Sequence, residues 1–361
     1  MTVRYKKSVE PIHTDGRDID LDVAVLTGEA ASQSASGSSD KHIANIAQTW
    51  KQVPAPTGDP TYYDRPLLKE PIWEWAIPTY YYVGGLTGAS LVLAAAAQLA
   101  GSNKLERLIR RCHWIGFAGA CLSGALLVYD LGRPSRFFNM LRVFRPTSPM
   151  NMGAWILSGT AMTAAATVFL RRRRGVLGGI GRLCGILSGA FGMALATYTG
   201  VLVANSAIPL WQESRRLLPV LFGASAMSSV GSAFEIFIEN PAQARITKAF
   251  GVTGQLVELT AAVLLDKQAP DVPRVMLPLK RGFSGFMWKA AALMTAASTV
   301  LAVLPKPSRR RRIGAGVLGT AGALVMRFAI EHAGVMSSRD ARASFHVQRA
   351  RQAGADAIAR G

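Results

Sequence analysis

The sequence is poor in charged residues, acidic residues, cysteine and histidine. Only 17% of its 361 residues are charged, with three cysteines and five histidines. Acidic residues number 22 against 41 Lys and Arg, so the formal net charge is +19. Such a basic balance suggests nucleic acid as a partner, but half of the residues are hydrophobic, and nucleic-acid-binding proteins are rarely so apolar. The positions of the apolar residues must decide between a soluble core and a membrane protein.

The scarcity of cysteine and histidine argues against a redox metal in this chain. Cys112, Cys121 and Cys184 lie in apolar segments without C-x-x-C spacing, whereas an iron–sulfur cluster needs four thiolates or close equivalents. Only His113 and His332 lie in or beside apolar segments. His113 opens the second span on the predicted cytoplasmic side and His332 closes the eighth span on the predicted outer side. They would lie about a bilayer apart, so they cannot share one haem iron. We therefore expect no metal here, and nucleotide-binding glycine motifs are also missing from any strand–helix context.

The hydrophobic residues are concentrated in eight blocks. They cover roughly 77–99, 109–130, 151–170, 178–203, 217–238, 249–265, 285–304 and 313–332. Most are close to the ~20 residues that a helix needs to cross the hydrocarbon core of a bilayer. Many residues in the blocks are small, which allows helices to approach closely in lipid. The pattern predicts an all-α integral membrane protein with eight transmembrane helices, in contact with lipid and not with nucleic acid.

Composition divides the chain into three parts. Residues 1–70 hold eight Lys and Arg and ten Asp and Glu, with Ser/Gly-rich and Pro-rich runs, and are predicted to form an extended polar tail. This segment lacks the pattern of a signal peptide, and we expect it to lie along partner subunits. Residues 71–332 form the membrane domain and carry a net charge of +18, and residues 333–361 form a short polar tail.

The basic residues between the blocks predict the orientation in the membrane. Connectors after the first, third, fifth and seventh spans carry 16 Lys and Arg, including the runs 171–174 and 309–312. Connectors after the second, fourth and sixth spans carry 10. Because positively charged loops stay in the cytoplasm, both termini are predicted to lie outside.

Polar and aromatic residues cluster at the predicted outer ends of the spans. The residues concerned are Glu74, Trp75, Tyr80, Asp130, Arg133 and Tyr198. One interpretation is an aromatic belt with arginines reaching the interface. The other is a site for a lipid-soluble aromatic ligand that gains and loses protons, which would need aromatic walls, a phenol and a carboxylate.

Three segments resemble a known family. The connector that begins Asp130-Leu-Gly-Arg-Pro-Ser-Arg-Phe-Phe and continues to Arg145-Pro-Thr-Ser-Pro-Met-Asn-Met-Gly-Ala-Trp resembles the signature of the NrfD / polysulfide-reductase membrane-subunit family. The stretches Trp73-Glu-Trp-Ala-Ile-Pro-Thr-Tyr and Tyr198-Thr-Gly-Val-Leu are also similar to that family. The resemblance covers roughly residues 70–335.

The resemblance implies an eight-helix anchor in two four-helix bundles without a metal of its own. It implies a bound quinone, menaquinone or ubiquinone, near the outer face of the bacterial inner (cytoplasmic) membrane. Electrons would pass between this quinone and a ferredoxin-like iron–sulfur subunit, which connects to a catalytic oxidoreductase subunit, often a molybdenum enzyme. The catalytic metal centre of such a respiratory complex is expected on a partner subunit.

The resemblance also assigns residues to the quinone site. Tyr198 matches the quinone-contacting tyrosine of the family. Glu74, Trp75 and Tyr80 occupy the segment that contributes further polar ligands, although the histidine and asparagine of some relatives are missing from 71–82. Asp130 and Arg133 match the signature, and two roles stay open for them: shaping the site or locking the connector.

Four further ionisable residues lie inside predicted spans: Glu235, Glu258, Arg327 and Glu331. Charge in hydrocarbon is costly, so each is expected to face the interior of the protein. Arg327 and Glu331 are four residues apart and can pair on one helix face. Relatives have been proposed to conduct protons, so these residues are candidates for a proton path, with interhelical hydrogen bonding as the competing role.

Two other functions stay open at this stage. An eight-span solute or ion transporter would place its polar site at mid-membrane, whereas the polar residues here favour one surface. A structural anchor without quinone chemistry would have the fold of the family but no working quinone site.

Overall fold

The computed structural model describes residues 18–20, 25–27, 68–132, 134–237, 241–268, 272–305 and 308–344. The chain divides into two compact units, residues 1–60 and 61–361. In the first unit, strand β1 (Asp18–Asp20) pairs antiparallel with β2 (Val25–Thr27), with Asp18 opposite Thr27. This short hairpin lies within residues 1–70, and the predicted division into three parts remains a prediction.

The second unit is helical. Its helices are α1 (Ala76–Leu99), α2 (Glu106–Leu131), α3 (Pro134–Arg142), α4 (Pro149–Leu170), α5 (Gly175–Ala204), α6 (Pro209–Glu213), α7 (Leu218–Phe237), α8 (Pro241–Lys267), α9 (Leu277–Lys280), α10 (Gly282–Val303) and α11 (Arg309–Arg339). Within the described residues, eight helices are long and apolar enough to cross a membrane, which are all of these except α3, α6 and α9. The predicted fold class is confirmed, and α8 is longer than the block 249–265 suggested.

Local sequence signals set the helix ends that flank the connector after α2. Helix α2 stops at Gly132, whose φ of +67° is left-handed and favours glycine. Helix α4 starts after Ser148, whose side chain accepts a hydrogen bond from the Asn151 N–H, with Pro149 in the first turn. These two signals leave a separate segment between the spans, in which α3 forms.

The eight spans pack as two four-helix bundles. Helices α1, α2, α4 and α5 form the first bundle, and α7, α8, α10 and α11 form the second. In each bundle a glycine pair brings two backbones into direct contact: Gly88 of α1 against Gly192 of α5, and Gly231 of α7 against Gly251 of α8. A Cβ at any of these positions would overlap the neighbouring backbone or side chain, so small residues permit the close packing expected in lipid.

The two bundles share an apolar interface. Helices α1 and α5 pack against α7, and α1 also contacts α11. Trp211 of α6 is 1% exposed, packs against Gly334 and donates from Nε1 to the Ile330 carbonyl at 2.9 Å. This contact anchors the connector between the bundles to α11.

The three short helices lie at the same end of the bundles. Helices α3, α6 and α9 fall in alternate connectors of an antiparallel arrangement, and we call this the connector end. The arginine runs 171–174 and 309–312 lie at the opposite end, the arginine end. The prediction that the connector end faces outward remains a prediction.

Candidate functional site

A cleft opens in the first bundle at the connector end. It holds about 580 Å³ of empty space, part of it open to the surroundings. Helices α1, α2, α3, α4 and α5 all contribute to its lining, which is mainly apolar and aromatic. Its polar side chains include Tyr80, Tyr81, Asp130 and Tyr198. Three of the six residues predicted for the quinone site therefore meet in one cleft.

Tyr198 reaches the cleft from α5. Its hydroxyl donates to the carbonyl of Pro149, the first residue of α4. The phenol ring lies directly over Gly153, where a Cβ would overlap the ring atoms and the hydroxyl. A glycine one turn into α4 thus makes the space that the buried Tyr198 occupies.

Tyr80 and Tyr81 reach the same cleft from α1. Their rings are 6.0 Å apart between centroids, and the residues are 2% and 1% exposed. Tyr81 also contacts the ring of Phe222 at 5.9 Å and the ring of Trp73 edge-on at 6.4 Å. The Tyr81 hydroxyl is buried and has no hydrogen-bond partner among the described residues. Tyr81 stands next to Tyr80 in the motif, but the resemblance to the family did not assign it to the quinone site.

Asp130 enters the cleft from the last turn of α2, where it is half-buried. Its predicted neighbour Arg133 lies outside the described residues. Beyond Gly132, α3 places Phe137 and Met140 in the lining of the cleft. The short connector helix therefore completes one wall.

Asn151 of α4 holds this connector in place. Its side-chain N–H groups donate to the carbonyls of Met140 at 2.5 Å and Val143 at 2.9 Å. Its Oδ1 accepts from the Arg145 N–H at 2.7 Å. One buried amide thus satisfies three backbone groups at the end of α3, a role that the family signature did not reveal.

Glu74 and Trp75 do not line the cleft. Glu74 is exposed, and Trp75 is 52% exposed with its ring 5.7 Å from that of Tyr129. Trp73 lies on the cleft instead, stacked on Trp211 with 5.7 Å between ring centroids and 17° between ring planes. Successive residues entering a helix point about 100° apart, so a motif alone does not show which of Trp73, Glu74 and Trp75 faces inward.

Arg327 is completely buried between the bundles. Its Nη1 donates to the Ser225 hydroxyl at 2.8 Å and to the Ala323 carbonyl at 3.0 Å. Its guanidinium carbon is 5.3 Å from the centre of the Phe222 ring. The carboxylate that interacts with this charge is Glu258 of α8, which is 3% exposed. The pair that sequence spacing allowed, Arg327 with Glu331, does not form, because the guanidinium points toward α7 and α8.

The four ionisable residues predicted inside the spans lie at three levels. Glu235 pairs with Arg312 at 3.1 Å at the arginine end and lines a cavity of about 230 Å³ together with Lys248 and Gln255. Glu258 and Arg327 lie in the middle of the second bundle. Glu331 lies farther along α11, toward the connector end, and of the four it is the one that interacts electrostatically with a residue of the cleft lining, Tyr81.

The part of the chain that the structure describes has no group of three or more His, Cys, Asp or Glu side chains arranged to hold a metal ion.

The fold and the cleft define a multi-pass membrane protein of two four-helix bundles with an aromatic site at one end. The family described as "Polysulphide reductase, NrfD" matches residues 67–337, and the chain belongs to this family. Membership in this family indicates a membrane subunit of polysulfide-reductase-type complexes. The family is quinone-reactive in general. Comparison with curated proteins gave no match.

Proposed function

We propose that this chain is the quinone-binding membrane anchor of a respiratory oxidoreductase complex, with the quinone head group in the cleft of the first bundle. The observation that carries the proposal is the meeting of Tyr80, Tyr198 and Asp130 in one largely apolar cleft that opens at the connector end. Such a combination of aromatic walls with a few convergent polar groups is typical of small-molecule sites.

The residues of the cleft fit the chemistry of a quinone. A quinone or quinol exchanges two electrons and two protons. The rings of Tyr80, Tyr81 and Phe137 provide apolar contact surface for a flat head group. The Tyr198 hydroxyl, held by the Pro149 carbonyl, can also accept a hydrogen bond, and the Asp130 carboxylate can accept a proton.

The partners follow from the same proposal. Electrons would pass between the cleft and a ferredoxin-like iron–sulfur subunit docked on the connector end, and from there to a catalytic oxidoreductase subunit, often a molybdenum enzyme in this family. The 1–70 segment would lie along these subunits. The excess of arginine at the opposite end supports a bacterial inner membrane orientation with the connector end and both termini outside.

The alternative of a solute transporter receives less support. Transporters commonly build a mid-membrane site from broken helices. Here each of the eight spans is one continuous helix through the described residues, and the aromatic cleft lies at one end. This arrangement favours a site that serves a partner at one membrane face.

The proposal is tested by replacing the phenol that contacts α4. Tyr198→Phe removes one hydrogen-bonding group from the cleft. A single hydrogen bond contributes up to about 1.4 kcal/mol, which corresponds to roughly a factor of ten in affinity. We expect the purified complex to bind a short-chain quinone about tenfold more weakly, as measured by quenching of tryptophan fluorescence, and to turn over quinol more slowly.

Tyr129→Phe is the matched control, because Tyr129 is 60% exposed and does not line the cleft. It should leave binding and turnover unaltered. Unchanged quinone kinetics in Tyr198→Phe would instead support an anchor that has no quinone chemistry.

A further inference from the structure

Two buried polar groups, one in the lining of the cleft and one on α11, have no hydrogen-bond partner among the described residues. The Tyr81 hydroxyl and the Glu331 Oε1 are both buried and accept or donate no hydrogen bond within the described residues. Tyr81 is 1% exposed and Glu331 is 8% exposed. The two residues lie on helices that are in contact, α1 of the first bundle and α11 of the second. The Tyr81 ring contacts Trp73, which stacks on Trp211, the donor to the Ile330 carbonyl next to Glu331. These contacts bring a polar group of the cleft near a polar group of the neighbouring bundle.

The polar groups continue to the surface of the connector end. Glu331 interacts electrostatically with Glu70, which precedes α1. Arg339 binds Glu70 Oε1 through Nη2 at 2.6 Å and Nε at 3.1 Å. The side chains of Arg339 and Glu70 are 44% and 28% exposed, so this ion pair reaches the surface. Glu331 lies about two helical turns before Arg339 on α11, so Glu331 lies between Tyr81, on the cleft, and the Glu70–Arg339 pair, at the connector-end surface.

Packing alone does not explain the two unpartnered groups. Leaving a buried donor or acceptor unsatisfied costs roughly 1–3 kcal/mol, and most such groups in proteins find partners. Arg327, one turn away on α11, could neutralise Glu331 but is held by Ser225, Ala323 and Glu258. A hydroxyl beside a carboxylate is suited to hold a bridging water or to exchange a proton.

We propose that Tyr81 and Glu331 carry protons between the cleft and the connector-end surface, with Glu70 and Arg339 at the outer end of the route. This inference rests on the proposed quinone function. The charged and titratable groups that interact with these side chains are Tyr80, Tyr198 and Asp130 from the cleft and Glu70 and Arg339 from the surface. Arg327 and His332 are the neighbours of Glu331 on α11 itself.

The transfer balances in either direction. When a quinol is oxidised, its O–H bond breaks as Tyr81 accepts the proton and passes its own proton to the Glu331 carboxylate. Glu331 then releases a proton toward Glu70 and water. The same transfer, repeated, removes the second proton, and both electrons leave to the iron–sulfur subunit. Quinone reduction runs through the same groups in reverse.

The test uses the purified, assembled complex with a short-chain quinol and an artificial electron acceptor. Glu331→Gln and Tyr81→Phe should each lower quinol turnover about tenfold, while quinone affinity, read by fluorescence quenching, stays within about twofold. The double variant should be no slower than the slower single variant, because the two groups act in series. Glu331→Asp should restore part of the rate, and the solvent deuterium isotope effect should rise in Glu331→Gln.

Glu213→Gln is the matched control: Glu213 ends α6 at the connector end and does not line the cleft, so turnover should equal that of the wild type. Normal turnover in both Glu331→Gln and Tyr81→Phe, with quinone bound, would overturn the route but leave the quinone function standing. Loss of quinone binding in both variants would also overturn it, since the residues would then be structural. A wild-type complex that binds no quinone would contradict the proposed function itself. If Glu331→Gln fails to assemble, Tyr81→Phe, which keeps its ring, decides by the same readouts.

Discussion

Gly153 shows how one residue without a side chain shapes the candidate site. The ring and hydroxyl of Tyr198 occupy the volume where a Cβ at this position would stand. The same contact places the hydroxyl against the Pro149 carbonyl at the start of α4. The position of the phenol therefore depends on a residue that has no polar group and that would not be selected as functional by its chemistry.

Gly153→Ala should displace Tyr198 and weaken quinone binding by about tenfold or more, because overpacking at a tight contact typically costs about 1–3 kcal/mol. Quinone titration by fluorescence quenching measures the effect. Gly124→Ala is the control, since a Cβ at Gly124 meets nothing within 4 Å. Equal quinone affinity in the two variants would contradict the role assigned to Gly153.

At the scale of elements, α3 depends on its neighbour more than on its own sequence. Nine residues are too few for a stable isolated helix. Asn151 of α4 supplies three hydrogen bonds to the end of α3 and the residues after it. The wall of the cleft formed by Phe137 and Met140 is consequently positioned by a side chain from another helix.

Asn151→Ala should loosen α3, because each lost hydrogen bond contributes about 0.5–1.5 kcal/mol and three backbone groups lose their partner. Hydrogen–deuterium exchange of the α3 amides should accelerate at least tenfold while α5 stays protected, and quinone should bind more weakly. Asn205→Ala is the control: it removes the hydrogen bond from the Asn205 side chain to the Val201 carbonyl of the preceding helix, and it should leave hydrogen–deuterium exchange in α3 unaltered. Unchanged α3 exchange in Asn151→Ala would show that other contacts hold the connector.

At the scale of the whole molecule, the two bundles differ in where their buried polarity lies. The first bundle has its polar groups at the cleft, whereas the second buries Glu258 and Arg327 at mid-depth. Between them and the arginine end, Gln255 donates to the Ser298 hydroxyl at 2.8 Å and borders the cavity of Glu235 and Lys248. We propose that these polar residues of the second bundle form a proton path from the arginine end to Glu258.

Glu258→Gln should therefore abolish proton uptake from the arginine end in proteoliposomes and lower quinone turnover that is coupled to it. Glu106→Gln is the control, because Glu106 is a surface carboxylate that pairs with Arg171 away from this path. A pH-sensitive dye inside the vesicles measures proton uptake during turnover. Interhelical hydrogen bonding alone remains as the role of Glu258 if both proton uptake and turnover are unchanged.

The family motif indicated some of the residues that line the cleft, and the fold decided the others. Tyr80, Asp130 and Tyr198 lie on the cleft, as the motif led us to expect, whereas Glu74 and Trp75 are exposed beside it. Tyr81 and Trp73 went unselected, because the direction of a side chain depends on the rotation of α1 against its neighbours. Sequence spacing likewise allowed Arg327 to pair with Glu331, but the guanidinium turns toward Glu258.

The sequence by itself determined the eight spans, because crossing a bilayer requires about 20 apolar residues in succession and this is a property of the chain read in one dimension. It also determined the family, whose match covers residues 67–337. Only the tertiary structure decided which polar side chains share a space. Tyr81 and Glu331 are 250 positions apart and lie on neighbouring helices because the two bundles pack against each other, a consequence of helix rotation and close glycine contacts that no span length encodes.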